Sequence, residues 1–170
     1  SPVHVSQWGT QVITPHVTAE SADISIKTGL TNNTSSARTV TMQHAIYELS
    51  VDDQLSRTPV QTLTSEIVTV QPGRDQTSTS FTKLANPKLW GPAPQQTPHR
   101  YAVVTTLKEN GSVLDQYTTA FGIRDLQFDP NKGVFINGEH IPLQGVNQHH
   151  DLGALGAAFN LRAAERQLEI

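Results

Sequence analysis

Residues 101–121 carry the clearest folding signal of the chain, the sequence YAVVTTLKENGSVLDQYTTAF. Two runs rich in Val, Thr and aromatic residues, 101–107 and 112–121, lie on either side of Asn110-Gly111. Asn-Gly is the pair favoured by the two-residue type I′ turn, in which both central residues have positive φ. The stretch therefore predicts a β-hairpin.

A similar alternation of core-facing and polar residues predicts further strands before this hairpin. Two strands show this alternation most clearly. The core-facing residues of the first are Ile24, Ile26, Thr28 and Leu30, and those of the second are Val40, Met42, His44 and Ile46. On the first of them Asp23, Ser25 and Lys27 are expected to face water. His44 is interpreted as a core histidine rather than as a functional base.

The composition of the 170 residues favours an all-β fold, because 20 Thr and 14 Val suit half-exposed strands. About seven short strands without intervening helices predict an immunoglobulin-like β-sandwich domain over residues 1–125. The formal charge of −3 provides no basic footprint for nucleic acid. No apolar run approaches the length of a membrane span. The absence of Cys excludes disulfides, thiolate nucleophiles and Cys-based metal sites.

The segment 86–98 stands apart because it holds four of the ten prolines. Proline has no N–H for a sheet ladder and biases the preceding residue toward extended conformations, so an irregular crossover is expected here. Trp90 within it is either an exposed platform for a ligand or a plug that closes one end of the sandwich. The plug is favoured, because large aromatic residues in structured loops mostly anchor them.

From Leu126 the pattern changes. Asn137-Gly138 predicts a second hairpin, and residues 142–147 are expected to form a buried strand that ends in the polar cluster 148–151. Asn160 is a candidate N-cap for an amphipathic helix that begins at Leu161. A strand and a short helix alone cannot bury their apolar faces, so we expect the chain to be an internal piece of a longer protein that continues as an α/β domain.

Three strings in this region resemble glycoside hydrolase family 2: residues 121–124 (FGIR), 133–138 (GVFING) and 143–151 (LQGVNQHHD). They are similar to the family's junction between its immunoglobulin-like domain and the first strand of its catalytic (β/α)₈ barrel. Residues 86–90 and 101–107 also resemble that family, whereas residues 1–85 hold no diagnostic string. The resemblance implies that residues 126–170 are the hairpin, first strand and first helix of an incomplete TIM barrel. Within the family, residues 149–157 are most similar to bacterial β-galactosidases, and glucuronidases and mannosidases stay open.

The resemblance also implies roles for single residues. The family's Gly-x-Asn-x-His motif falls on Gly145, Asn147 and His149, at the end of a barrel strand where barrel active sites are built. His149 would contact a sugar hydroxyl, Asn147 would support the site, and Asp151 would order the loop. Members are retaining hydrolases that use two glutamates on later barrel strands. Neither position exists in this chain, so no catalytic residue is assigned and the fragment is expected to be inactive and structural.

Two departures from the family bear on sugar identity: Gln148 stands where Arg is common, and His150 where an acidic residue is common. Read without the family, His149, His150 and Asp151 could be a metal cluster. Adjacent residues of a strand point to opposite faces and no third ligand is placed by spacing, so no metal and no cofactor are expected.

The implied partners are a carbohydrate substrate of the longer protein, neighbouring domains of the same chain and, as an open option, a second copy in a homo-oligomer. A secreted or periplasmic parent is favoured over a cytoplasmic one by the absence of Cys, which does not decide the compartment. The alternative function is that of a noncatalytic carbohydrate-binding or adhesion sandwich.

Overall fold

The computed structural model describes residues 1–145, Asn147 and residues 153–169. In these residues the strands are β1 (Val3–Ile13), β2 (Ser21–Asn32), β3 (Arg38–Leu49), β4 (Gln61–Thr62), β5 (Glu66–Val70), β6 (Gln76–Ala85), β7 (Arg100–Glu109), β8 (Ser112–Phe121), β9 (Leu126–Asp129), β10 (Gly133–Ile136) and β11 (Glu139–His140). A 3-10 turn at Gly153–Leu155 and the helix α1, Leu161–Glu169, follow.

The first eight strands form two antiparallel sheets that face each other. One has the order β1-β2-β6, and the other has the order β4-β3-β7-β8, with β5 also paired to β3. The backbone N–H of Val5 on β1 donates to Asp115 Oδ2 on β8 at 2.8 Å, which joins the two sheets at one edge. Two facing sheets whose alternate residues point inward are a β-sandwich, so the predicted sandwich is confirmed.

The hairpin predicted at Asn110-Gly111 is present between β7 and β8. The φ angles of Asn110 and Gly111 are 49° and 82°, as a type I′ turn requires. The core-facing sets predicted on β2 and β3 are also buried as expected.

Ser25 departs from its predicted exposure. The residue was expected to face water, but only 8% of its surface is exposed. Its register partners on the two neighbouring strands are Ile13 and Phe81, two large apolar residues. Ser25 is buried because these neighbours flank a small side chain on the outer face of the sheet.

The core is divided into two apolar clusters by a polar layer. One cluster includes Ile26, Ile46 and Val103, and the other includes Leu30, Met42 and Leu107. The residues halfway between them on the same three strands are Thr28, His44 and Thr105, all buried. The interior of this sandwich therefore contains hydrogen-bonding groups at its centre.

The second predicted hairpin is also present, as a small separate sheet in the order β11-β10-β9. Asn137 and Gly138 both have positive φ, 55° and 79°. The amphipathic helix begins where expected, because Asn160 Oδ1 accepts the N–H of Ala163 at 3.0 Å and so acts as an N-cap.

The strand predicted over 142–147 is not present in the described part of that stretch. Residues 142–145 and Asn147 belong to no strand and are exposed, with Leu143 at 75% exposure. A parallel barrel strand is stabilised by neighbours on both sides, and the described residues provide none here. The division into domains 1–125 and 126–170 stays a prediction. Across the described residues, no helix has the length and hydropathy needed to cross a membrane.

Candidate functional site

The proline-rich segment begins at a fixed point on the sandwich. The backbone N–H of Lys88 donates to the Tyr101 hydroxyl at 2.8 Å. Burial raises the pKa of Tyr101, and the hydrogen bond from Lys88 opposes that shift in part. Next to it the Lys88 ammonium pairs with Glu48 at 2.8 Å, which raises the pKa of Lys88. The segment therefore leaves the sandwich in a defined direction.

Trp90 closes this end of the sandwich. Its backbone N–H donates to the carbonyl of Ile123 at 2.7 Å, and its partly buried ring lies under the Arg124 guanidinium, 4.9 Å from the ring centroid. A Cβ at Gly122 would lie 2.9 Å from Trp90 Cβ and Cγ, so the ring packs directly on the glycine backbone. These contacts support the interpretation of Trp90 as a plug.

Asn137 joins the second hairpin to the proline-rich segment. Its Nδ2 donates to the carbonyl of Trp90 at 2.9 Å and to Gln96 Oε1 at 2.8 Å. Its Oδ1 accepts the N–H of Asp125 at 3.0 Å. The sequence interpretation treated Asn137 as a turn residue only. Asp-Gly would suit the same turn, but a carboxylate cannot donate, so the amide has a tertiary role that local pattern does not reveal.

Gln96 extends this connection to both strands of the hairpin. Its Nε2 donates to the carbonyl of Ile136 at 2.8 Å and to Glu139 Oε2 at 2.9 Å. A Cβ at Gly91 would lie 2.5 Å from Gln96 Cβ, so a larger residue at that position would displace Gln96. Together with Asn137 and Trp90 these contacts form the junction network, defined as Trp90, Gln96, Asn137 and Glu139.

The chain leaves the junction at Ile141. This residue is buried, and its N–H donates to the carbonyl of Val134 at 2.9 Å. The predicted motif Gly145, Asn147 and His149 begins four residues later. The junction network thus positions the origin of the segment that carries the candidate site residues.

The candidate site residues themselves are only partly described. Gly145 and Asn147 are exposed and belong to no helix or strand. His149 and Asp151 lie outside the described residues, as do Gln148 and His150. Their roles stay predictions.

The carboxylates near the junction are engaged in local structure. Asp129 Oδ1 accepts the backbone N–H groups of Asn131 and Lys132 at 2.8 and 2.9 Å. Asp125 Oδ2 accepts Gln127 Nε2 at 2.9 Å, and Glu139 accepts Gln96. Each carboxylate therefore has a structural role in the small sheet. Within the described residues no group of three or more His, Asp and Glu could hold a metal ion.

Comparison with known proteins identifies the family. The model of "Glycosyl hydrolases family 2" matches residues 3–124. The chain is 36% identical to "Beta-galactosidase BoGH2A" of Bacteroides ovatus over 99% of its own length and 19% of that protein. It is 27% identical to a "Beta-glucuronidase" of Bacteroides fragilis, over 100% of this chain and 23% of that protein. The chain spans about a fifth of the length of these relatives.

Solved structures agree in fold with this chain. A glycosyl hydrolase family 2 member from Bacteroides cellulosilyticus superimposes with a TM-score of 0.78 at 29% identity, over 99% of this chain and 22% of that one. A β-glucuronidase of Bacteroides uniformis gives a TM-score of 0.79 at 28% identity, over 99% and 20% of the two chains. With the family model matched along most of its length, this chain belongs to glycosyl hydrolase family 2.

Proposed function

We propose that this chain is the sandwich and the adjoining segment of a longer retaining β-glycosidase that removes terminal β-galactose from carbohydrates. The observation that carries this proposal is the extent of similarity to the Bacteroides ovatus β-galactosidase. It runs over 99% of the chain and so extends past residue 124, where the family model ends. A relative named β-glucuronidase is 27% identical, so the choice of galactose is the finer part of the proposal.

In this proposal the described residues position the segment that carries the candidate site, and they take no part in the chemical step. The junction network fixes the place at which the chain departs at Ile141 toward the Gly-x-Asn-x-His motif. His149 would donate to or accept from a hydroxyl of the bound sugar, Asn147 would support it, and Asp151 would order the loop that follows. The chemical step belongs to two glutamates of the longer protein, one as acid/base and one as nucleophile.

The test uses the longer protein that contains this chain and two aryl glycosides, the β-galactoside and the β-glucuronide. The two sugars differ in the substituent at C5, which is a hydroxymethyl group in galactose and a carboxylate in glucuronate, and in the C4 hydroxyl, which is axial in galactose and equatorial in glucuronate. A pocket that fits one of these sugars binds the other poorly, because it desolvates or repels the group that differs. We therefore expect kcat/KM to favour the galactoside by about 100-fold or more. Preference for the glucuronide would overturn the galactose assignment, and no hydrolysis of either would overturn the glycosidase proposal.

The inactivity of the 170-residue chain is measured in the same assay. It should release no aryl alcohol from either glycoside above the uncatalysed rate, because the two glutamates lie outside it. Turnover by this chain alone would contradict the structural role.

A further inference from the structure

Trp8 is the most exposed large apolar residue among those described, with 86% of its surface accessible. Its φ is +51°, a conformation that is a genuine outlier for a bulky side chain. Such strain persists only where the surrounding structure imposes it, and it concentrates at ligand-binding positions. An exposed indole held at an energetic cost calls for a functional explanation.

The strain comes from an irregularity in β1. Val5 pairs with Leu30 and Thr10 pairs with Thr28, so four residues of β1 face the single residue Gly29 of β2. Bulges of this kind redirect side chains. Here the bulge lifts Trp8 out of the alternation and away from both apolar clusters.

The bulge is closely packed and therefore holds the indole in place. A Cβ added at Gly9 would lie 2.6 Å from the carbonyl oxygen of Ser6 and 3.0 Å from that of Gly29. Ser6 Oγ is hydrogen-bonded to Thr31 Oγ1 at 2.7 Å, and Thr31 Oγ1 donates to Asp75 Oδ1 at 2.9 Å. Because the backbone is fixed before any ligand arrives, little conformational entropy is lost on binding.

Trp8 forms one side of an open cleft of about 280 Å3. Apart from Trp8 and two glycines, the cleft is lined by polar side chains: Ser6, Gln11, Lys27, Asp75 and Thr77. In the described part of the chain, Gln11, Lys27 and Thr77 make no side-chain hydrogen bond or ion pair. The cleft thus offers free donors and acceptors around one flat aromatic face.

This composition distinguishes between possible ligands. A protein-docking surface is expected to have a contiguous apolar patch, whereas the cleft has one aromatic ring among polar groups. Lys27 and Asp75 carry opposite charges, so the cleft has no net charge for an ion. A neutral sugar fits both features, because the C–H face of a pyranose ring packs on an indole while its hydroxyl groups bond to surrounding polar side chains.

We propose that the Trp8 cleft, which is located on the sandwich, is a binding site for neutral β-linked oligosaccharide. It would hold a stretch of a polysaccharide while another stretch is hydrolysed elsewhere in the longer protein. The proposal goes beyond the proposed hydrolysis. Binding is measured on this chain and hydrolysis on the longer one, so the two can fail separately.

The test titrates the 170-residue chain with β-1,4-linked galactotetraose and cellotetraose by calorimetry. We expect saturable binding of at least one of them with a Kd of about 1 mM or tighter. The main variant is Trp8→Asn, because Asn tolerates positive φ and removes the ring without straining the backbone. It should weaken binding by about tenfold or more, while Trp8→Phe retains a stacking face and most of the affinity. Phe81→Ala removes another ring that is 75% exposed on the same sheet, and it should leave binding unchanged.

Stability provides a second readout that separates binding from structure. If Trp8 is kept for a ligand, Trp8→Asn should be as stable in urea as the wild type or more stable, since it relieves strain. No saturable binding up to about 20 mM sugar would overturn the proposal. Equal affinity in Trp8→Asn would also overturn it. So would a loss of more than about 1 kcal/mol of stability in that variant, because Trp8 would then be a structural residue.

Discussion

The side-chain amide of Asn137 donates to the backbone carbonyl of Trp90 at 2.9 Å, across 47 positions of sequence. One residue thereby completes the turn of the second hairpin and attaches that hairpin to the plug of the sandwich. The bond is partly buried, where an unmatched carbonyl is costly. The small sheet is therefore attached to the sandwich by this amide, together with the amide of Gln96.

Asn137→Gly tests this attachment. Glycine keeps the positive φ of the turn but removes the bonds to Trp90, Gln96 and Asp125, so we expect a loss of about 1–3 kcal/mol in urea unfolding. The matched control is Asn110→Gly, at the same turn position in the first hairpin, where the exposed side chain makes no hydrogen bond within the described residues. The control should change stability by less than about 0.5 kcal/mol. Equal effects of the two variants would show that Asn137 acts only through turn geometry.

Gly122→Ala tests the contact between Trp90 and the residue that directly follows β8. The added Cβ would lie 2.9 Å from Trp90 Cβ and Cγ, so the indole must move, at an expected cost of about 1–3 kcal/mol. The displacement should also alter the Trp90 fluorescence, measured in a Trp8→Phe background. Gly145→Ala is the control, because no atom of the described residues, apart from its chain neighbours, lies within 4 Å of its Cβ position. An unchanged unfolding midpoint for Gly122→Ala would contradict close packing of the ring.

We expect His44 to make the stability of the sandwich depend on pH. The side chain is 2% exposed, its Nδ1 is hydrogen-bonded to Thr105 Oγ1 at 3.0 Å, and its Nε2 is buried with no partner in the described structure. Burial lowers the pKa of His44 from its ordinary 6.5, and the charge of nearby Glu66 opposes the shift. At a pH between the two values the unfolded chain binds a proton that the folded chain does not.

The sign of the effect follows from this difference. The free energy of unfolding should decrease as the pH falls below 6.5, until the pH passes the lowered pKa of the folded state. Urea titrations at several pH values should show a shallower pH dependence for His44→Leu, which cannot be protonated. His99→Leu is the control, because His99 is exposed, and it should keep the wild-type slope. A wild-type slope in His44→Leu would contradict the assignment.

His149→Ala tests the predicted sugar contact in the longer protein. Removing one hydrogen bond to the bound sugar should lower kcat/KM by about 10–100-fold, since such bonds contribute about 1–3 kcal/mol. Asn147→Ala should also lower kcat/KM, because Asn147 is proposed to support His149 in its position. His99→Ala replaces a histidine of the sandwich and should leave both kcat and KM unchanged. Wild-type kinetics in His149→Ala would remove that residue from the site.

Local chemistry was sufficient to predict much of this fold. The two Asn-Gly pairs specify their turns because only a few residues tolerate two successive positive φ angles. The buried faces of β2 and β3 follow from the two-residue period of a strand. Asn160 was predictable as an N-cap because its short side chain reaches the free N–H groups of the first turn. Each of these features depends on residues close in sequence.

Features that depend on residues far apart in sequence were decided by the tertiary structure. Ser25 is buried by strands that sequence alternation does not pair with it, and the strand predicted over 142–147 has no neighbour to bond with among the described residues. The second role of Asn137 depends on its contact with Trp90. The outward position of Trp8 depends on the bulge opposite Gly29. Both partners are distant in sequence from the residue they affect. The physical reason is that alternation and turn propensity act within a few residues, whereas burial, strain and hydrogen-bond partners depend on which segments meet in space.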